Sequence, residues 1–397
     1  MKILVATTSF PSSVNETLAV NGKFILHECM GFENAGADVT IVTPDIPICP
    51  REERFEKNII VHRFQYFFPR KWQRIKRSDG TTLYDRMDIL FWLQFPFFML
   101  FYACAIFKYA RNADTIHCNW TLSALAALPA RWLLKKPVSV TPRGSDLRLI
   151  PKFVNRFIIK NVDLVIDFSG PCFKNMNILS EFPGNYVSLP SIVAPPKADL
   201  SDNIKFLKKQ GEFVIAVISR FEETKTKITG LPFFELIEAV SILSKKHPIR
   251  CIYVGDGTLR PNLEKKVQEN GLEDKITFVG FKENVFPYIT AADIIIGGVG
   301  LNAVSQEAAL MGKPILMPAL EGWFEGIWFH KENALLFNPG DLNSIIENIE
   351  FAINNKDAMK KIAEETLGTA DKFIKTIDDG GKIYIEEFIK IIQKRKR

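Results

Sequence analysis

At 397 residues, with 47% hydrophobic and 24% charged residues, the chain is long for one domain and too apolar to be disordered, which implies two or three globular domains with sizeable cores. The formal net charge of +6 is mild, and no nucleic-acid-binding motif accompanies it, so nucleic acid is not an expected partner. Six scattered cysteines, Cys29, Cys49, Cys104, Cys118, Cys172 and Cys251, form neither a CxxC pair nor a Cys/His zinc spacing; reduced thiols in a cytoplasmic compartment are the simplest reading, and no metal site is expected.

In chain order, MKILVATTSFP holds one lysine and a short apolar run before Thr7, which reads as a first strand and not a secretory signal. A helix from about Gly22 to Ala35 and the strands DVTIVTP and IIVHRF follow. PRKWQRIKR (69–77) and the terminal QKRKR (393–397) carry much of the positive excess. Such clusters are usually solvated faces, but they also suit anionic lipid or phosphorylated ligands.

Residues 89–107, ILFWLQFPFFMLFYACAIF, are apolar and about long enough to cross a bilayer. Gln94 and Pro96 interrupt the run, and ADTIHCNW follows at once as an inner strand. A packed or membrane-facing helix is therefore expected over a true span. A helix at Leu122 to Leu134 and the strand VSVTP complete a first set of alternating units.

PSIVAPPKADLSDNIKFLKK carries prolines, charge and little periodicity and reads as a linker, placed at 193–210. Beyond it come FVIAVIS, a helix at Pro232 to Lys246, RCIYVG, a helix at Leu259 to Asn270, KITFVG, DIIIGG and PILMP. Alternation with fully apolar strands predicts parallel sheets covered on both faces. The fold class is α/β, with two doubly wound Rossmann-like domains, 1–192 and 211–375, facing each other across a ligand cleft. A final amphipathic helix, 376–397, is expected to pack back toward the first domain.

The chemistry gathers in four turns of the second half. In SRFEETKTKITGLP, Arg220 follows a strand and Lys227 precedes a helix starting near Thr229 to Pro232; a guanidinium and an ammonium there can neutralise phosphate oxygens without a metal. GDGTL (Gly255 to Leu259) is a tight turn into a helix, and GFKEN (Gly280 to Asn284, including Phe281) offers backbone to a base edge. In GGVGLNAVSQEAALMGKP a glycine turn follows a buried strand, Asn302 is the expected N-cap, and Glu307 can accept hydrogen bonds from a diol.

The ordered motifs SRF…K, YVGDGTLRPNLE, ITFVGFKENVFPYITAADIII, GLNAVSQEAALMGKPIL and ENALLFNPGD resemble the carboxyl domain of the retaining GT-B glycosyltransferases, group 1, family 4-like. FPSSVNETLAVNGKFILHE, GFENAGADVTIVTP, ADTIHCNWTLSALAAL and VTPRGSDLR resemble the same group's amino domain. The resemblance implies transfer of a sugar, with retention and without metal or other cofactor, from a nucleoside-diphosphate donor to a glycan or lipid-linked acceptor in polysaccharide or glycoconjugate synthesis.

Carried over position by position, Arg220 and Lys227 stabilise the leaving diphosphate. Glu307 holds the ribose, and Gly300, Leu301 and Asn302 offer amides to the β-phosphate. Gly22 approaches the diphosphate from the other domain, and Glu325 matches a glutamate near the donor loop. His117, Arg143 and Asp146 fall on the acceptor side or reacting centre, although His117 equally reads as a satisfied structural histidine and Asp146 as a helix cap.

Two positions depart from the group's pattern. Val299 stands where a glutamate that touches the donor sugar is usual, and Arg143 where a histidine is usual; an arginine cannot act as a base. The alternatives are a non-catalytic GT-B partner subunit and a nucleotide-sugar 2-epimerase. The basic 67–77 segment beside the apolar helix points to a cytoplasmic protein, peripheral on the inner face of an anionic membrane.

Overall fold

The computed structural model describes residues 1–12, 22–47, 49–75, 89–143, 147, 150–167, 186–194, 208–321 and 326–396. The chain forms two compact units, Met1–Ala194 together with Lys375–Arg397, and Pro195–Ile374.

The first unit runs β1 (Lys2–Ala6), α1 (Lys23–Asn34), β2 (Asp38–Pro44), β3 (Glu52–Glu56), β4 (Ile59–Phe64), α2 (Ile89–Ala110), β5 (Thr115–Asn119), α3 (Thr121–Leu133), β6 (Val138–Thr141), α4 (Lys152–Lys160), β7 (Leu164–Asp167), β8 (Tyr186–Ser188) and β9 (Ser191–Val193). Its main sheet has the order β3-β4-β2-β1-β5-β6-β7-β8. Its strands are parallel apart from the antiparallel pair β3–β4 at one edge.

Alternate side chains of β1 serve two cores, as a period of two requires. Leu4 and Ala6 meet Phe98, Tyr102 and Ile106 of α2, Ala124 and Ala127 of α3 and Ile158 of α4. Ile3 and Val5 meet Ile25, Cys29 and Phe32 of α1. Helix α2 is apolar and long enough to cross a membrane by length and composition. Yet Phe91, Gln94, Phe98, Tyr102 and Ile106 all face inward, so it forms one layer of this domain, as its interruptions by Gln94 and Pro96 suggested.

The second unit runs β10 (Phe213–Ile218), α5 (Glu223–Thr229), α6 (Phe233–Leu243), β11 (Ile249–Val254), α7 (Arg260–Glu269), β12 (Ile276–Gly280), α8 (Phe286–Ala291), β13 (Ile294–Ile296), α9 (Ala303–Leu310), β14 (Ile315–Pro318), β15 (Leu335–Phe337), α10 (Leu342–Asn354) and α11 (Lys356–Phe373). Its six strands are all parallel, in the order β12-β11-β10-β13-β14-β15. Consecutive residues Val214 to Val217 are buried, the mark of a sheet covered on both faces.

One expectation needs correction here. The helix expected to follow Lys227 is present, but Lys227 itself lies in the last turn of a further helix, α5, seven residues long and closed by Gly230 at φ 65°. The next helix, α6, starts after Pro232.

After the short strand β16 (Ile374–Thr376), α12 (Ile377–Lys396) returns to the first unit. It packs on α1 with Tyr384 and Phe388 against Phe32, ring centroids 5.6 and 5.5 Å apart. The backbones meet so closely that a Cβ at Gly381 would stand 1.7 Å from the carbonyl oxygen of Gly31. Near its far end, the Arg395 guanidinium donates to Asp163 Oδ1 at 3.1 Å and to the Lys136 carbonyl at 2.9 Å. Tyr384 Oη donates to the Pro190 carbonyl at 3.1 Å.

Candidate functional site

Both sheets reverse their strand order once. In the second unit the chain builds outward through β10, β11 and β12, then returns to add β13 beside β10. Ligands of open α/β sheets bind beyond the carboxyl ends of the strands at such a reversal. The turns that leave β10 and β13 flank it.

The turn after β10 is anchored by Phe221, whose buried ring packs on Phe233 and Tyr253 at 5.4 and 5.8 Å. Phe221 N–H donates to the Asp256 carbonyl and its own carbonyl accepts from Leu259 N–H, both at 2.9 Å. Glu222 accepts from Thr258 Oγ1 at 2.6 Å and Thr258 N–H at 3.2 Å. This turn and the Gly255–Leu259 turn are thus one interlocked unit. A Cβ at Gly255, whose φ is +138°, would fall 1.8 Å from the Ser219 carbonyl oxygen, and one at Gly257 2.5 Å from that of Phe221, so only glycine lets the backbones approach this closely.

Arg220 is half-buried beside this anchor. Lys227 is exposed, and its Nζ pairs with Glu223 Oε2 at 2.6 Å one helical turn back, an arrangement that a stronger anion can displace. Gly280, at φ 72°, ends β12 and its carbonyl accepts from Gly255 N–H at 2.9 Å; the neighbouring Phe281 is exposed.

On the other side of the reversal, Gly300 takes φ 60° and Asn302 caps α9, accepting from Val304 N–H at 3.1 Å and Ser305 N–H at 3.2 Å. Trp328 Nε1 donates to the Gly300 carbonyl at 3.2 Å and Gln306 Nε2 donates to the Leu301 carbonyl. With the carbonyls held this way, the loop is fixed at the positive end of the helix. Glu307 is half-buried on α9, one turn beyond Ala303 on the same side. Val299 is buried. Arg220, Lys227, Gly255, Gly280, Phe281, Gly300, Leu301, Asn302 and Glu307 therefore occupy one edge of one sheet. Glu325 and Asp146 lie outside the described residues.

The first unit reverses between β1 and β5, and a buried polar cluster sits there. Glu28, on the inner face of α1, accepts at Oε1 from Asn119 Nδ2 at 3.1 Å and from His117 Nε2 at 3.0 Å, and at Oε2 from Arg143 Nη2. Arg143 Nε also donates to Asn119 Oδ1 at 2.8 Å. A carboxylate only accepts, so His117 carries its proton on Nε2, leaving Nδ1 to Ser139 Oγ at 2.9 Å. Burial opposes ionisation of Glu28, but Arg143, then His117 and Asn119, outweigh it and hold its pKa at about 2.

His117 is fully buried, with its ring nitrogens engaged by Ser139 Oγ and Glu28 Oε1, as the structural reading of this histidine requires. Phe32, Tyr384 and Phe388 enclose its ring. Arg143 lies over Phe24 at 4.9 Å and brings the cluster toward the surface. Gly22, at φ 82°, begins α1 against the backbone of Ser9 and Phe10, where a Cβ would stand 2.8 Å from either. Glu28 and Asn119 escaped the sequence reading. The available signal was a carboxylate at i+3 from Ile25 and i−4 from Phe32, on an otherwise apolar stripe.

Among the described residues, no group of three or more His, Cys, Asp or Glu side chains has a metal-binding arrangement.

Residues 212–355, most of the second unit, match the family model "Glycosyl transferases group 1". The chain is 28% identical over 162 residues to the lipopolysaccharide core biosynthesis glycosyltransferase LpsE of Rhizobium meliloti, a match covering 39% of this chain and 44% of that relative; it thus spans less than half of that protein. It is 25% identical over 391 residues to the alpha-monoglucosyldiacylglycerol synthase of Acholeplasma laidlawii, covering 89% of this chain and 92% of the other. The sucrose-phosphate synthase of Thermosynechococcus elongatus superposes with a TM-score of 0.74 at 18% identity, covering 98% and 99% of the two chains. Anabaena HepE, solved in complex with UDP and glucose, superposes with a TM-score of 0.68 at 17% identity over 98% and 99%. Together with the two sheets, these similarities show a two-domain Rossmann-like GT-B fold.

Proposed function

We propose, from the match of residues 212–355 to the group 1 glycosyltransferase model, a metal-independent, retaining transferase that moves a sugar from a nucleoside diphosphate to a lipid-linked or membrane-proximal glycan. The observation that carries this reading is the strand-order reversal of the second sheet, with Arg220 and Lys227 on one side and the Gly300–Asn302 loop with Glu307 on the other. As the bond between the anomeric carbon and the diphosphate oxygen breaks, negative charge grows on the leaving group. Preorganised donors and cations at that position lower the barrier most effectively. Lys227 joins by exchanging Glu223 for a phosphate oxygen.

The acceptor class draws on two relatives, one named for lipopolysaccharide core synthesis and one for a glucosylated diacylglycerol. A nucleotide-sugar donor and such an acceptor would both be met at the cytoplasmic face of a membrane, which supports a peripheral position there. Thermal-shift screening against a panel of nucleotide sugars, followed by donor hydrolysis, tests the reading. One donor should raise the midpoint and release free sugar slowly, and Glu307→Gln should weaken that shift. Silence across the panel, with acceptors supplied, would favour a non-catalytic partner subunit. The anomeric configuration of the product, read by NMR, decides retention.

A further inference from the structure

We propose that the first unit docks on an anionic bilayer through two helices at once, α4 and the first half of α2, holding the carboxyl edge of its sheet at the headgroups. The proposal rests on the membrane-proximal acceptor above and adds the surface and its orientation.

Helix α4, KFVNRFIIK, buries Asn155, Ile158 and Ile159. Its outward side carries Lys152, Arg156 and Lys160 at spacings of four, interleaved with Phe153 and Phe157, which are 74% and 48% exposed. Neither phenylalanine belongs to the domain's core cluster. Aromatic and basic residues on one helical face are instead the composition of a helix that lies in a membrane interface.

Helix α2 shows the same property at greater length. Its outward residues include Trp92 (56% exposed), Leu93 (61%), Phe97 and Leu100, and none is charged before Lys108. Twenty-two residues make a helix about 33 Å long, whereas the five-residue strand β5 that follows spans about 17 Å. Since α2 runs back from the carboxyl edge to start a parallel strand, its first half overhangs that edge. The overhang is braced: Gln94 Nε2 donates to the Trp72 carbonyl at 2.8 Å and Gln94 Oε1 accepts from Arg74 N–H at 3.1 Å. Trp72, 58% exposed, stands beside it.

Both helices pack on the same core with α3 between them. Both also connect parallel strands, so their amino ends point to the same edge of the sheet. Two helix spacings of 8–10 Å put them roughly 20 Å apart, a two-point footing that fixes tilt. Residues 70–75, 89–110 and 152–160 contain no Asp or Glu, and hold three, one and three Lys or Arg. Lys71, Arg74, Lys108, Lys152, Arg156 and Lys160 are exposed. This charge favours anionic lipid and opposes a symmetric contact with a second copy, which would set cation against cation.

The test is flotation of the full-length protein with phosphatidylglycerol-containing vesicles against pure phosphatidylcholine at low salt. Wild type should float with the anionic vesicles. Lys152→Gln with Arg156→Gln should bind at least tenfold more weakly, at about fivefold per charge, and Phe153→Ser with Phe157→Ser should show a comparable loss. Brominated lipid should quench fluorescence in wild type, and less so in Trp92→Phe. Unchanged circular dichroism and gel-filtration profiles would show that the variants fold. Wild-type flotation by both α4 variants overturns the two-helix footing, and no flotation of wild type overturns the whole surface. A dimer broken by the same substitutions would assign the face to a second copy, and saturable binding of an acidic protein in place of vesicles would likewise overturn the proposal. Donor hydrolysis in vesicle-free buffer scores the transferase reading separately, so the two can fail independently.

Discussion

The two strand-order reversals are built on the same topology and filled in opposite ways. In the first unit the position beyond β1 and β5 is closed by protein: Glu28, His117, Asn119 and Arg143 satisfy one another, roofed by Tyr384 and Phe388 of α12. In the second unit the same position is bordered by glycine turns, a capped helix start, an exposed lysine and half-buried Arg220 and Glu307. One reversal pairs its charges with one another inside its own domain, and the other carries them at the edge where the proposed donor would bind. Substitutions should therefore unfold the first and disarm the second.

The largest effect is expected at Glu28. Glu28→Gln removes one partner of a buried pair and leaves the Arg143 charge uncompensated, at a cost of about 3–5 kcal/mol, measurable as a shift in the denaturation midpoint of the first unit. The depressed pKa adds a pH signature. A carboxylate lowered from 4.5 to about 2 stabilises the fold above pH 4.5, and that stability is lost as pH falls toward 2. Wild type should lose stability across that window, and the variant much less. A midpoint unmoved by the substitution would contradict the closed reading of this reversal.

Next come Arg220→Ala and Lys227→Ala, each expected to slow turnover about 10²–10³-fold with the melting curve unchanged. The contrast sharpens if both variants keep donor affinity within a few-fold while losing rate, because charge that matters only as the leaving group departs acts on kcat. Near-normal turnover in both would remove them from the phosphate site.

Gly255→Ala tests the interlocked turns. A Cβ 1.8 Å from the Ser219 carbonyl at φ +138° must displace the Arg220 turn, at about 1–3 kcal/mol of local strain. The nucleotide-induced thermal shift should shrink, while the first unit melts as before. The smallest effect concerns metal: a chelator should leave initial rates unchanged if, as proposed, Arg220 and Lys227 supply the charge a divalent ion would otherwise bring. A strict requirement for magnesium in the chemical step would count against that assignment.

What sequence made legible follows from how local each signal is. Asn302 before AVSQEAAL is a cap-and-helix pattern contained in nine residues, and the structure shows both bonds of the cap. Helix α5 was missed because seven residues, ETKTKIT, complete too little of a helical repeat to show one; Gly230 closes it in a left-handed turn that reads equally well as loop. Glu28 was missed because its partners lie 89, 91 and 115 positions away, and only the fold brings them together. His117 could not be assigned for the same reason. The apolar character of α2 was plain, but which of its sides would face outward depends on packing that composition does not encode.

The glycine contact between α1 and α12 bears on the order of events during synthesis. The roof over His117 comes from α12, which is made after every residue of the second unit, Pro195–Ile374. The second unit can therefore complete its core before the first, whose α1 face, with Phe32 and the Glu28 cluster, stays uncovered until α12 has been made. A released chain truncated after Phe373 is expected to show a protease-resistant second unit beside a digestible first one; equal resistance of both would refute this order. For this protein, then, a late frameshift or premature stop is a lesion of the amino-terminal domain.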